Sequence, residues 1–134
     1  MVKTFSGATT KQMFDYVKPK LEMKPDQLLF HVGTNDLKKS ENNEDIAENI
    51  LSLALHCHSN QIPVVVSSLT YRDDKFKDRI GSINEELKIR CEERNIGYID
   101  NSNIQKFHLN RSKLHLNAKG STLLAKNFKI VTSN

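Results

Sequence analysis

The chain has 134 residues, 37% hydrophobic and 27% charged, which is enough for one domain with a real core and excludes wholesale disorder. Its net charge is only +4, but Asp100 is the last acidic residue, and Lys106, Arg111, Lys113, Lys119, Lys126 and Lys129 follow it. No apolar run approaches the roughly 18 residues of a membrane helix, and "MVKTFSGATTKQ" has no apolar signal-peptide core, so no membrane association and a cytoplasmic or intracellular place are expected.

"VKTF" (Val2 to Phe5) is short and β-prone. In the loop "SGATT" that follows, Thr9 or Thr10 can cap a helix. Met13, Phe14, Val17 and Leu21 recur at helical spacing, and Pro19 predicts a kink or an early end. After the "KPDQ" turn, "QLLFHVG" reads as a strand covered on both faces. A Thr-Asn-Asp turn and the polar loop "KKSENNED" lead to a second helix through Ile46, Ile50, Leu53, Ala54 and Cys57, broken by Asn60 and Pro63. "PVVVSSL" is a second buried strand, and "TYRDDKFKD" is a charged loop, whose "YRDDK" part reads as solvated at the strand edge or as lining a substrate cleft. Ile80, Ile83, Leu87 and Cys91 mark a third helix, closed by Asn95 and Gly97; "YID" is a short strand. After an irregular stretch, "AKGSTLLAKNF" reads as a last helix.

Strands alternating with helices predict a mostly parallel sheet with helices on both faces, a three-layer α/β/α fold. Ligands of such sheets bind at the carboxyl ends of the strands. Three loops with unusual chemistry fall there: Ser6-Gly7-Ala8, Gly33-Thr34-Asn35-Asp36, and the approach to His115. The backbone N–H of Gly7 and the side-chain NH2 of Asn35, converging, would outline an oxyanion hole. His115, just before the last helix, is placed to act as a general base. Alone, each has a simpler reading: a turn glycine, a helix cap at Asn35 and Asp36, a packing histidine.

Taken in order, "GTND" after a buried strand and "LHLNAKG" before the last helix resemble blocks of the SGNH (GDSL-type) hydrolase family, and the likeness runs along the whole chain. The wider pattern "VKTFSGATT … KPDQLLFHVGTNDL … LNRSKLHLNAKG" resembles the esterase-like domains of animal proteins. The resemblance implies a flavodoxin-like sheet and an esterase-type acyl hydrolase. It assigns Gly7 and Asn35 to the oxyanion hole and His115 to the base, with Gly33 and Asp36 supporting the loop. It implies ester substrates and no cofactor or metal.

Two departures from the family pattern stand out. The family's nucleophile is the serine of a Gly-Asp-Ser block at the end of the first strand, and the sequence contains no such block. Ser6 belongs to the wrong loop, and nothing in the sequence marks Ser67 or Ser68 as activated. No serine of the sequence takes the nucleophile's place, and little or no esterase activity is expected. Three residues before His115, where the family places an aspartate, stands Ser112, which carries no charge to stabilise an imidazolium; relatives can use a backbone carbonyl instead.

The missing block also implies a missing first strand, normally central between "VKTF" and "QLLFHVG". The two must then close up or leave backbone groups unpaired. The expectation is a single domain over residues 1–134, N-terminally incomplete. The rival reading is a non-catalytic module that binds RNA or another anionic partner through its basic segment, Lys106 to Lys129.

Smaller signals are structural. His56 and His58 in "HCHSN" are two apart, not the four that a helical metal pair needs. His31 reads as a satisfied core or edge histidine. Cys57 and Cys91 read as reduced and structural.

Overall fold

The computed structural model describes residues 2–6, 9–39, 42–113 and 115–132. Its elements follow the expected alternation: β1 (Val2–Ser6), α1 (Thr10–Leu21), β2 (Gln27–His31), α2 (Asn43–His58), β3 (Val64–Ser67), α3 (Lys77–Glu93), β4 (Gly97–Ile99) and α4 (Ala118–Thr132). Short 3-10 turns occupy Thr34–Lys38 and Lys106–His108.

Local chemistry starts the helices where the sequence places them. The Thr9 hydroxyl accepts from the Gln12 N–H, and the Gln12 side chain accepts from the Thr9 N–H. Each satisfies a donor that the first turn of α1 would leave open. Asn42 does the same for α2, accepting from Glu44 and Asp45. Pro19 lies in the last turn of α1, which ends two residues later at Leu21. Asn95, at φ 56°, terminates α3. Gly97, expected to help close that helix, is instead the first residue of β4.

The sheet order is β1-β2-β3-β4, and all neighbours are parallel. Strands laid side by side in chain order, joined by crossovers of one hand, put all their connecting helices on one face. Met13 and Val17 of α1, Ile50 and Leu53 of α2, and Ile83 and Leu87 of α3 accordingly share one core with Leu28, Phe30, Val64 and Val66. The alternate strand residues Leu29, Val65 and Ile99 face the other way and pack with Phe128 of α4. Between β1 and β2 the structure shows closure, not a gap. Val2 pairs with Gln27, and the register runs to Ser6 opposite His31.

All four strands therefore point their carboxyl ends at one edge. The segments that follow β2 and β3 begin there. Among the described residues, no helix is long and apolar enough to cross a membrane.

Candidate active site

The strand β2 gives way at Gly33, which holds φ at +111°, a left-handed conformation that L side chains rarely adopt. Space forbids a side chain as well. A Cβ there would sit 2.7 Å from Ile50 Cδ1 and 3.2 Å from Leu69 Cδ1. Gly33→Ala is expected to destabilise the fold by about 2–3 kcal/mol, strain and overpacking together. Urea denaturation measures it; an unchanged midpoint would refute the geometric argument.

The 3-10 turn that follows splits its polar residues. Asp36 is buried, and its carboxylate accepts from the backbone N–H of Thr10 at 3.0 Å and from the Thr10 hydroxyl. Thr10 is the first residue of α1, a helix with no acidic side chain in its own first turn. Asp36 supplies the negative charge that a helix N-terminus favours. It thereby fastens the loop after β2 to the start of α1. Asn35, one residue earlier, is exposed at the sheet edge.

At the end of β3, Ser67 and Ser68 are both buried. Ser67 Oγ lies 2.8 Å from His31 Nδ1 and accepts from Asn101 Nδ2 at 2.7 Å. Ser68 Oγ accepts the Asn101 backbone N–H. Asn101 Oδ1 accepts from Asn127 Nδ2 of α4, and the Asn127 and Asn103 side chains exchange hydrogen bonds. This network lies beneath α4, and the His31 ring meets Phe128 edge-on at 5.8 Å. Burial pushes the His31 pKa down to about 4, so the imidazole is neutral near pH 7. The neutral ring and the Ser67 hydroxyl share one hydrogen bond, and Asn101 Nδ2 donates to the same oxygen. The pair resembles a serine–histidine dyad in contact but not in access, because no solvent reaches Ser67.

The loop after β3 departs from its expected solvated character. Arg72 is only 2% exposed. Its Nε donates to Asp74 Oδ1 at 2.8 Å, and its guanidinium lies 5.0 Å from the centre of the Phe76 ring. A second amino group donates to the Thr34 carbonyl at 3.4 Å. The hydrogen bond from Arg72 holds the Asp74 carboxyl below its ordinary range. An Arg-x-Asp pair in the sequence is the only local signal for this. The reach to Thr34 spans 38 positions and leaves no pattern.

The same loop holds the histidine segment. The Asp73 N–H donates to the Lys113 carbonyl at 2.8 Å. Leu109 and Leu116 form an antiparallel bridge, and the Asn110 N–H donates to the His115 carbonyl. Lys113 turns the chain with φ 59°. Ser112 accepts the backbone N–H of His115 at 3.1 Å and donates to Asn110 Oδ1. That bond shapes the turn through the main chain of His115. The His115 side chain is exposed.

The Asn35 and His115 loops are thus tied to one intervening loop, through Arg72 on one side and Asp73 on the other. Gly7 lies outside the described residues. Two cavities of about 440 and 420 Å³ flank this edge's supporting helices, one between α1 and α2, the other beside α4; neither is lined by Asn35 or His115. Chemically, the edge offers an exposed amide and an exposed imidazole, while the serines at the end of β3 are shut away.

The model of the GDSL-like lipase/acylhydrolase family matches residues 1–123. The chain belongs to that family. No curated protein sequence matches it. Among solved structures, a GDSL-like lipase from Bacteroides thetaiotaomicron superposes with a TM-score of 0.79 at 16% identity, over 92% of this chain and 70% of that one. A lipolytic protein of the G-D-S-L family from Veillonella parvula gives 0.79 at 18%, over 96% and 76%. A variant of an acetyl-xylooligosaccharide esterase from Geobacillus gives 0.74 at 16%, over 92% and 67%. These likenesses establish the α/β fold of GDSL hydrolases for the chain.

Among the remaining residues, His56 of α2 packs its ring 5.7 Å from that of Phe14. Cys57 and Cys91 are free and buried, and burial pushes both thiols up to about 11.

Proposed function

We propose that this domain carries the acyl-ester site of GDSL hydrolases in a form that lacks its own nucleophile. His115 is the base, Asn35 and Gly7 are the oxyanion donors, and the substrates are esters. The observation that carries this reading is the double tether of the Asn35 and His115 loops to the Arg72–Asp73 segment. Gly33 and Asp36 support the Asn35 loop, and Ser112 supports the histidine turn. Without a serine in place of the family's Gly-Asp-Ser, an oxyanion hole and a base give only residual catalysis.

Hydrolysis of p-nitrophenyl acetate tests it. The expected rate is close to the buffer background, with little change in His115→Ala. Turnover well above background that disappears in His115→Ala would show a nucleophile within the chain and overturn the inactive form of the reading.

A second reading rests on charge. Residues 1–100 carry a net −2 and residues 101–134 a net +6. The basic side chains from Arg111 to Lys129 are exposed. Such a one-signed segment attracts an anionic partner, RNA included.

A further inference from the structure

The reading of the basic segment as an anion-binding surface leaves one residue unexplained. Phe107 is 68% exposed, the most exposed large hydrophobic side chain among the described residues. Burying a phenylalanine ring is favourable, and here that ring stays in water. Its backbone is nevertheless held on both sides. The Phe107 carbonyl accepts from Asn117 Nδ2 at 2.8 Å, and the next carbonyl, of His108, accepts the Asn117 N–H at 2.8 Å. The His108 ring packs 4.1 Å away, and His108 Nδ1 accepts the Gln105 N–H. Gly120 lets α4 press against this turn, since a Cβ there would lie 2.4 Å from the His108 carbonyl oxygen. The aromatic face is therefore presented from a fixed support.

The His108 ring that packs against Phe107 also lines a groove of about 420 Å³, together with Lys119, Thr122, Leu123 and Lys126 of α4. Those α4 positions are spaced three and four apart and share one helix face. Lys119 and Lys126 stand two turns apart, about 10 Å along the axis. The acidic groups nearby are few. Asp73 lies 3.6 Å from the Lys106 ammonium and 3.8 Å from that of Lys77. Asp100 accepts the Ser102 N–H at the end of β4. Lys106 is thus partly neutralised, whereas Arg111, Lys113, Lys119 and Lys126 are exposed and enter no ion pair within 4 Å to a described residue.

We propose that this rim binds single-stranded nucleic acid, with Phe107 as a stacking platform for a base and Lys119 and Lys126 as phosphate contacts along the groove. The proposal rests on the anionic-partner reading and narrows it. Charge alone suits any polyanion. An exposed ring carried on a hydrogen-bonded turn suits an unpaired base, whose face is free to stack, and not a duplex, whose base faces are covered.

Fluorescence anisotropy with a labelled, mixed-sequence RNA of about 12 nucleotides tests it, titrated between about 50 and 200 mM salt. The same RNA annealed to its complement and a polyglutamate competitor are run beside it. Binding is expected to be salt-dependent and tighter for the single strand. Phe107→Ala should weaken it roughly tenfold at fixed salt and leave the salt slope unchanged, and Phe107→Tyr should restore it. Lys119→Glu with Lys126→Glu should weaken binding and flatten the slope. Circular dichroism melts confirm that the variants fold. If wild type binds but Phe107→Ala binds equally well, or if the duplex or polyglutamate binds as tightly as the single strand, the stacking proposal fails and the anion reading stands. If wild type binds nothing in a salt-dependent way, both fail.

Discussion

Lowering the pH from 7 to 4 is expected to cost the fold about 3 kcal/mol through His31 alone. The native pKa of this histidine is about 4, against 6.5 for the free side chain, because burial disfavours the imidazolium. In the unfolded chain the ring takes up its proton near pH 6.5. In the folded chain it does not until the pH approaches 4. Between those values the unfolded state binds more protons, so stability falls with the pH. It is fully present above about 6.5, and the loss is complete below about 4.

The surroundings make this loss local. His31 Nδ1 faces the buried Ser67 hydroxyl, and its ring edge meets Phe128. A protonated ring puts a charge into this buried site, and its Nδ1 is then only a donor to the Ser67 oxygen, which also accepts from Asn101. Asp74, whose carboxyl sits below its usual range, contributes stability that is lost only as the pH falls through the carboxylate range, below the main His31 window. Urea denaturation at pH 7.5, 6.0 and 4.5 measures the effect, comparing wild type with His31→Gln. The variant should start less stable and lose less stability across the range. Parallel slopes for the two proteins would remove His31 as the cause.

Asp36→Ala is the second large effect, a loss of about 2–4 kcal/mol. Thr10 is 2% exposed, so removing the carboxylate strands its backbone N–H and hydroxyl away from water. The start of α1, which has no acidic side chain in its own first turn, also loses the negative charge that Asp36 brings to its dipole. Asp36→Asn keeps an acceptor oxygen for one of the two donors and should cost roughly half as much. Equilibrium unfolding of the three proteins orders them; an Ala variant as stable as the Asn variant would show that water replaces the carboxylate. Function responds too in this reading, because Asn35 is presented by the same turn.

The helices and strands were legible because their signals are local. Three- and four-residue spacing marks α2 and α3 without reference to anything else, and "VVVS" and "QLLFH" are too apolar for an exposed strand. The Gly-Thr-Asn-Asp loop was legible for the same reason, and Gly33 stands there because both its φ and Ile50 demand it. The loop Tyr71 to Lys75 was misread as solvated. Its charges look like a surface run until Arg72 is seen folded inward onto Phe76 and the Thr34 carbonyl.

The alternation of strands and helices, the family blocks and the charge imbalance after Asp100 can be read along the chain. Each depends on neighbours in the chain or on composition. The direct closure of β1 on β2, the burial of Ser67 and Ser68 under α4 and the exposure of Phe107 against His108 come from the folded chain alone. Those outcomes depend on which distant surfaces meet. A polar side chain is satisfied or exposed according to partners 26 to 38 positions away, and no periodicity along the chain encodes that pairing.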